Sequence, residues 1–239
     1  MVSAVAIVVA GGSGTRMGGD VRKQYLFVGD LPLMGHSLRT LDQSPEVESL
    51  VLVLPLEDMD DVRNRILPGL ELQKPLTLAP GGPTRQASVA SGLAVSDANI
   101  PFVLIHDAVR PFVEIWHIRE VLAAAAAFGA ASLAVDLVDT LRRRLPGGKS
   151  EALNREQVMA VQTPQAFCAK LLRQAHAMAL ANMWEETDDA GLVATMGHAV
   201  KYIPGSRINI KLTKPEDRAL AEAILTVKKS GARFVEGMF

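Results

Sequence analysis

A single cysteine, Cys168, stands among 239 residues, so no disulfide can close within the chain and the sequence fits a reducing compartment. Close to an expected helix start, it reads as a structural thiol with no catalytic part. An excess of either charge is also missing. The 25 Lys and Arg residues against 26 Asp and Glu leave a formal net charge of −1, which gives no electrostatic support for a nucleic-acid or anionic-membrane partner. A small-molecule partner is expected instead. No stretch approaches the roughly 18 consecutive apolar residues of a membrane helix, and no basic segment or cleavage pattern precedes the first apolar run. Neither a membrane span nor a secretory leader is expected, and the expected location is cytoplasmic. Internal repeats, low-complexity linkers and blocks of like charge are absent too, so residues 1–239 are expected to form one domain.

What is present begins at the N-terminus. Val5-Ala6-Ile7-Val8-Val9-Ala10 lacks polar alternation and reads as a buried parallel strand. It runs into Gly11-Gly12-Ser13-Gly14-Thr15-Arg16-Met17, and Lys23-Gln24-Tyr25 follows. Glycines after a buried strand permit turns whose backbone N–H groups converge on an anion, and Arg16 and Lys23 add two cations. The dinucleotide fingerprint fails, because Met17 stands where its third glycine belongs, and no Lys-Ser or Lys-Thr pair follows a glycine as in a P-loop. Without the cations, a glycine-rich surface turn would serve as well.

Strand-like runs near 4–10, 49–54, 76–79, 101–106 and 131–135 alternate with helical stretches near 33–43, 57–67, 84–98 and 114–128. Such βαβ alternation predicts a doubly wound, mostly parallel α/β sheet with ligands at the carboxyl ends of its strands. From about 136 to 161 the rhythm breaks. Two extended segments, Leu137 to Leu145 and Leu153 to Val161, flank Pro146-Gly147-Gly148-Lys149 and predict a protruding β-hairpin arm. Helices near 168–182, 188–196 and 214–228 and short strands near 199–203 and 208–211 complete the chain.

Three further constellations stand after strands or before helices. Gly81-Gly82-Pro83-Thr84-Arg85 leads into a helix containing Ser88, which suits a base or a phosphate but also describes an ordinary turn. His106-Asp107-Ala108-Val109-Arg110-Pro111 ends the fourth strand. There Asp107 can offer a hard oxygen to Mg²⁺ or another divalent cation alongside substrate phosphates, or pair with Arg110 to order the loop. His106 has no partner at metal-ligand spacing and reads as a core histidine. Thr187-Asp188-Asp189-Ala190 is an N-cap followed by first-turn carboxylates, with a substrate contact from Thr187 as the functional alternative. Lys211, read as ending a strand at Asn209-Ile210-Lys211, serves equally as a phosphate ligand or a surface lysine.

In order and spacing these stretches, with Val138-Asp139-Thr140 and Gln162-Thr163-Pro164-Gln165, make the chain similar to the 2-C-methyl-D-erythritol 4-phosphate cytidylyltransferases of the non-mevalonate isoprenoid pathway. The resemblance implies a Rossmann-like sheet of nucleotidyltransferase type and Mg²⁺-dependent transfer of CMP from CTP to the phosphate of a sugar alcohol, releasing pyrophosphate. It implies that Arg16 and Lys23 act on the α-phosphate, that Lys211 and Arg155 position the attacking phosphate, and that Asp107 serves the metal. Ala10, Gly11, Gly12, Gly14, Gly82, Pro83 and Ser88 would hold the nucleotide, and Asp107, Arg110, Thr140, Thr163 and Thr187 would line the sugar pocket. It also implies a homodimer with shared sites, in which the arm lends Thr140 and Arg155 to the neighbour.

The chain departs from this pattern at Gly11 for a common alanine, Arg22 for a usual proline, and Pro83 for a frequent acidic residue. Pro83 removes a carboxylate and an N–H from the expected cytosine pocket. Ribitol-5-phosphate cytidylyltransferases share the loop and the His-Asp-Ala-Val-Arg-Pro stretch, and a non-catalytic CTP sensor would also explain the glycines. Tyr25 and the Thr-Asp-Asp-Ala run count against the first, the four residues Arg16, Lys23, Asp107 and Lys211 together against the second.

Overall fold

Strand β1 (Ala4–Val9) sends Ala4, Ala6 and Val8 to one layer of packing and Val5 and Ile7 to the other, all five fully buried. That two-sided burial is why the sequence shows an unbroken apolar run there. The computed structural model describes residues 2–12 and 22–230. After β1 come a small pair, β2 (Phe27–Val28) and β3 (Leu31–Pro32), then α1 (Leu33–Gln43), β4 (Val47–Leu54) and a mixed helical stretch that opens with a tight turn at Leu56–Asp58 and continues as α2 (Met59–Asp61). Next follow β5 (Leu76–Pro80), α3 (Arg85–Val95), β6 (Phe102–Asp107), α4 (Ile115–Phe128) and β7 (Ala130–Asp136). The arm pair β8 (Arg142–Arg144) and β9 (Ser150–Ala152) leads to β10 (Met159–Cys168), α5 (Ala169–Asn182), α6 (Asp189–Thr195), β11 (Lys201–Pro204) and α7 (Glu216–Lys229).

Seven strands form the central sheet in the order β11-β7-β10-β6-β1-β4-β5, with only β10 running against its neighbours. Helices α1 and α4 cover one face through Met34, Leu38, Leu41, Ile118 and Val121. The other face is covered by α3, α5 and α6 through Val89, Leu93, Leu172, Ala175 and Val193. Helix α7 seals one end, packing Ala221 and Ile224 against Val109, Phe112 and Leu212. From β1 the winding goes to β4 and β5 on one side and to β6 on the other, so β1 and β6 flank the switch point where such sheets open a crevice. The registers Val9 with Val53, Val9 with Asp107 and Leu54 with Pro80 bring the glycine-rich segments and Asp107 to that same edge.

Four expectations need correction. The stretch near 57–67 is no regular helix: α2 passes into a wide turn at Val62–Ile66 and a tight one at Leu67–Leu70, where Pro68 lacks the N–H a regular helix needs. The arm is smaller than its two extended segments. Its ladder joins only Arg142–Arg144 to Ser150–Ala152, and residues from Met159 onward belong to the central sheet. Strand β10 itself, continuing through Gln162–Cys168, escaped the sequence reading. Its register with β7 breaks between Val161 and Gln165, so Pro164 sits in the interruption and owes the ladder no N–H. No strand forms at 208–211. That segment is held by side chains instead, Asn209 Nδ2 donating to the Thr163 carbonyl at 2.9 Å and to Gln162 Oε1 at 3.2 Å.

Candidate active site

Two backbone segments meet above the carboxyl ends of β1 and β5. A Cβ built on Gly81 would stand 3.2 Å from Gly11 Cα, and one on Gly82 would stand 2.5 Å from Ala87 Cβ, so the close approach rests on side chains being absent there. Thr84 caps α3 by accepting the Ala87 N–H at 3.1 Å, which places Arg85 in the first helical turn. Ser88 Oγ accepts the Gly82 N–H and donates to the Thr84 carbonyl, both at 3.0 Å, bracing the turn. Because the Gly81 N–H goes to the Leu54 carbonyl at 2.6 Å and Pro83 has none, Gly81 to Pro83 can offer a ligand carbonyl oxygens but no N–H. The remaining Ser88 lone pair adds one more acceptor. On the first segment, buried Gln24 donates to the carbonyls of Ala10 (2.8 Å) and Gly12 (3.2 Å) and so anchors the turn beside Lys23. Arg22 spans Asp58 and Glu57, and the Tyr25 hydroxyl reaches Asp58 Oδ2 at 2.7 Å.

Asp107, only 6% exposed, is the electrostatic centre. Its Oδ1 accepts from Arg85 Nε at 3.1 Å and its Oδ2 from Lys211 Nζ at 2.7 Å, with Arg110 Nε 3.9 Å from Oδ2. Burial alone would raise its pKa, but Arg85 and Lys211 outweigh burial and hold the carboxyl far below the usual range. Behind it, Thr163 Oγ1 accepts the Asp107 N–H at 3.0 Å and lies 3.2 Å from His106 Nδ1. The Arg110 carbonyl, 3.1 Å from His106 Nε2, can only accept, so Nε2 carries the hydrogen of the neutral ring and Nδ1 accepts the Thr163 hydroxyl proton. Burial lowers the His106 pKa to about 4, so it is a neutral core histidine as expected.

A crevice of about 660 Å³ is lined by Ala10, Gly11, Gly12, Lys23, Gly82, Pro83 and Ser88 together with Asp107 and Lys211. Asp107 and Lys211, with Arg110, Thr163 and Thr187, also line an adjoining cavity of about 200 Å³. Lys211 further borders a third groove of about 420 Å³, which runs toward Val138 and Asp139 at the root of the arm. The structure therefore gathers the expected residues into two connected groups. Arg16 and Gly14 lie outside the described residues. Thr140 and Arg155 line none of these three cavities; both are exposed on the arm, where Arg155 Nη1 donates to the Val138 carbonyl at 2.8 Å.

Two readings of residues change. Asp188, not Thr187, caps α6, accepting the Gly191 N–H at 2.8 Å. Asp189 is not an ordinary first-turn carboxylate: it is 1% exposed and binds Arg85 Nη1 at 2.7 Å. Arg85 itself was quoted in its motif without a role, yet it lines both the large crevice and the adjoining cavity. Its one sequence signal was position, directly after a glycine pair at a helix start. Among the described residues Asp107 is the only acidic side chain lining the 660 Å³ crevice, and no group of three or more His, Cys, Asp or Glu able to hold a metal occurs. One carboxylate with triphosphate oxygens is a donor set that suits Mg²⁺, and the described residues offer no metal cage made of protein alone.

Comparison with known proteins bears on this geometry. Residues 4–227 match the family model described as "IspD: 2-C-methyl-D-erythritol 4-phosphate cytidylyltransferase". The chain is 40% identical over 230 residues to the 2-C-methyl-D-erythritol 4-phosphate cytidylyltransferase of Pelotomaculum thermopropionicum, covering 96% of this chain and 97% of that protein. It is 41% identical over 222 residues to the protein of the same name from Syntrophus aciditrophicus, covering 92% and 95%. Among solved structures, the 4-diphosphocytidyl-2C-methyl-D-erythritol synthase of Anaerococcus prevotii superposes with a TM-score of 0.83 at 30% identity, covering 94% of this chain and 96% of that one.

Proposed function

Since the chain belongs to the 2-C-methyl-D-erythritol 4-phosphate cytidylyltransferase family, we propose that its three adjoining cavities divide the work of one transfer between nucleotide, sugar and partner subunit. The chain is a cytidylyltransferase that moves CMP from CTP to 2-C-methyl-D-erythritol 4-phosphate in isoprenoid precursor synthesis. In our reading CTP fills the 660 Å³ crevice and the sugar alcohol enters the 200 Å³ cavity beside it. The observation that carries this division is Lys211, which borders all three cavities and stands 2.7 Å from Asp107.

A phosphate oxygen of the sugar attacks the α-phosphorus in line and pyrophosphate leaves. Because two anions must meet, fixed cations carry most of the catalysis. Lys23, on the wall of the crevice, stabilises charge gathering at the α-phosphate, with Arg16 assigned the same part. Lys211 holds the attacking phosphate, and Asp107, Arg110 and Thr187 bind the hydroxyls of the sugar. Thr163 acts on them through its remaining lone pair and by holding the Asp107 backbone. Asp107 would supply one protein oxygen to Mg²⁺, which when bound with the triphosphate neutralises its charge and draws electrons from the α-phosphorus. Acceptors at Gly81 to Pro83 and Ser88 suit the exocyclic amino group of cytosine and oppose the carbonyl that uracil carries in its place.

A homodimer accounts for the two residues left out of the cavities. A three-pair ladder is short for an independent hairpin, and the arm and its root expose Val138 at 55% and Met159 at 42%. Packing on a twin subunit would cover these side chains and deliver Thr140 and Arg155 to the twin's groove. A pyrophosphate-release screen of four nucleoside triphosphates against methylerythritol 4-phosphate and ribitol 5-phosphate tests the whole reading. CTP with methylerythritol phosphate is expected to turn over, and excess EDTA to stop it. Equal turnover of UTP would remove the base assignment, and full activity in EDTA the metal.

A further inference from the structure

The two oxygens of Asp107 have counter-charges of unequal fixity. Lys211 Nζ is the looser partner, at the end of a flexible side chain that is 40% exposed. Arg85 is held at both ends of its guanidinium. Nε reaches Asp107 Oδ1 at 3.1 Å while Nη1 reaches Asp189 Oδ2 at 2.7 Å. Asp189 Oδ1 in turn accepts from His176 Nε2 at 3.1 Å, and both Asp189 and His176 have side chains less than 10% exposed. Gln165 of β10 fastens the outer end by accepting the backbone N–H groups of Asp189 (3.2 Å) and Ala190 (3.1 Å). A chain of contacts thus runs from α5 through α6 and α3 to the end of β6.

Resting on the reading of Lys211 as the ligand of the sugar phosphate, we propose that Arg85 is the positioning residue that holds Asp107 in place when Lys211 turns to substrate, and that Asp189 and His176 are its supports. With Lys211 turned away, the remaining cation, Arg110, has its Nε 3.9 Å from Asp107 Oδ2, beyond hydrogen-bond distance, so without Arg85 the buried carboxylate would have no cation hydrogen-bonded to it and would turn away or take up a proton. Arg85 prevents this, because its own second carboxylate keeps it from following the incoming phosphate. Arg85 also lies on the wall common to the nucleotide crevice and the sugar cavity, and its Nη2 is buried with no hydrogen-bond partner among the described residues. The guanidinium therefore acts where the two substrates meet, while the residues that aim it stand away from both.

The test is a double-mutant cycle on the full-length enzyme, read as kcat and KM for each substrate. Asp189→Asn keeps the side chain's shape and removes the charge behind Arg85. It is expected to lower kcat/KM for methylerythritol phosphate about 10-fold while KM for CTP stays within about 2-fold, the signature of misplacement on the sugar side. In an Arg85→Gln background the same change should cost less than about 2-fold, because its route of action is gone. Costs that multiply in the double variant, or wild-type kinetics in a folded Asp189→Asn protein, overturn the proposal. Should Asp189→Asn fail to fold by circular dichroism, His176→Gln decides by the same cycle, with an expected loss of about 3-fold. Wild-type enzyme that releases no pyrophosphate, or Asp107→Asn that retains full activity, removes the site reading itself. Normal behaviour of those two controls with a silent Asp189 removes only this inference.

Discussion

The wall around Asp107 and the arm around Arg155 contribute to one proposed site under opposite physical conditions. At the wall, Asp107 and Asp189 are each nearly inaccessible and their oxygens are engaged by Arg85, Lys211 and His176. On the arm, Arg142–Arg144 and Ser150–Ala152 form a ladder whose six residues are all exposed. Buried charges are tolerated only when every partner is in place, so the wall is built with the fold and does not wait for substrate. Among the described residues the arm's ladder has no such burial, and in the proposed homodimer its residues act through a second surface.

The sharpest way to break this contrast is through stability. Phe167, fully buried on β10 in the core beneath α5, should cost about 3–5 kcal/mol when changed to Ala, and the exposed Arg142→Ala change on the arm should stay within about 0.5 kcal/mol. Urea unfolding measures both. Equal losses would mean that the arm folds as part of the core.

Activity should invert that ranking. Lys23→Ala and Arg155→Ala are each expected to lower kcat by roughly 10²- to 10³-fold, as losing one preorganised donor to the transition state does, with little change in unfolding midpoint. Mixing the two inactive subunits sharpens the point. If Arg155 serves the neighbouring site, a mixed dimer keeps one intact site, and random pairing should restore about a quarter of wild-type activity. Demonstrated mixed dimers with no recovery would assign Arg155 to its own chain.

Next in size is a pH effect that belongs to the core alone. His117 is fully buried in α4, and its Nδ1 accepts the Glu114 N–H at 3.1 Å, which requires the neutral ring. Burial lowers its pKa from 6.5 to about 4. Between those values the unfolded chain binds a proton that the folded chain refuses, so the contribution is complete above pH 6.5 and falls away as pH drops toward 4. The loss is at most about 3 kcal/mol for this group. Unfolding midpoints from pH 7 to 4 should decline in wild type and decline less in His117→Gln; equal slopes would reject the assignment.

The smallest effect is expected at Gly11. A Cβ there would meet Ser88 Oγ at 3.2 Å and Gly81 Cα at 3.3 Å, tight contacts that a shift of a few tenths of an ångström relieves. Gly11→Ala should therefore leave stability within about 1 kcal/mol and change KM for CTP more than kcat. A large loss of kcat would show that the two glycine-rich segments cannot separate at all.

Much of the inner architecture was legible in the chain. The apolar runs that became β1, β4, β6 and β7 announce strands buried on both faces, because no other surface tolerates continuous Val, Ile and Leu. Glycines after β1 and β5 and the aspartate ending β6 pointed to the crevice edge, since parallel topology carries the carboxyl ends of these three strands to the same side. Strand β10 was hidden by Gln162-Thr163-Pro164-Gln165, whose polar residues and proline interrupt the strand pattern and which only a gap in the ladder admits. Capping by Asp188 in place of Thr187 was a matter of one residue that only the backbone geometry separates.

By itself the sequence determined the layered sheet, the positions of the loops around the crevice and most of the residues that line it, because periodicity and glycine placement act over a few neighbouring positions. Only the tertiary structure decided which charges meet. Arg85 finds Asp107 at 22 residues and Asp189 at 104 residues along the chain, and Lys211 finds Asp107 at 104. Such pairings follow from how strands and helices stack, since a Coulomb interaction depends on distance in space and on burial, and neither is written in the local pattern of residues.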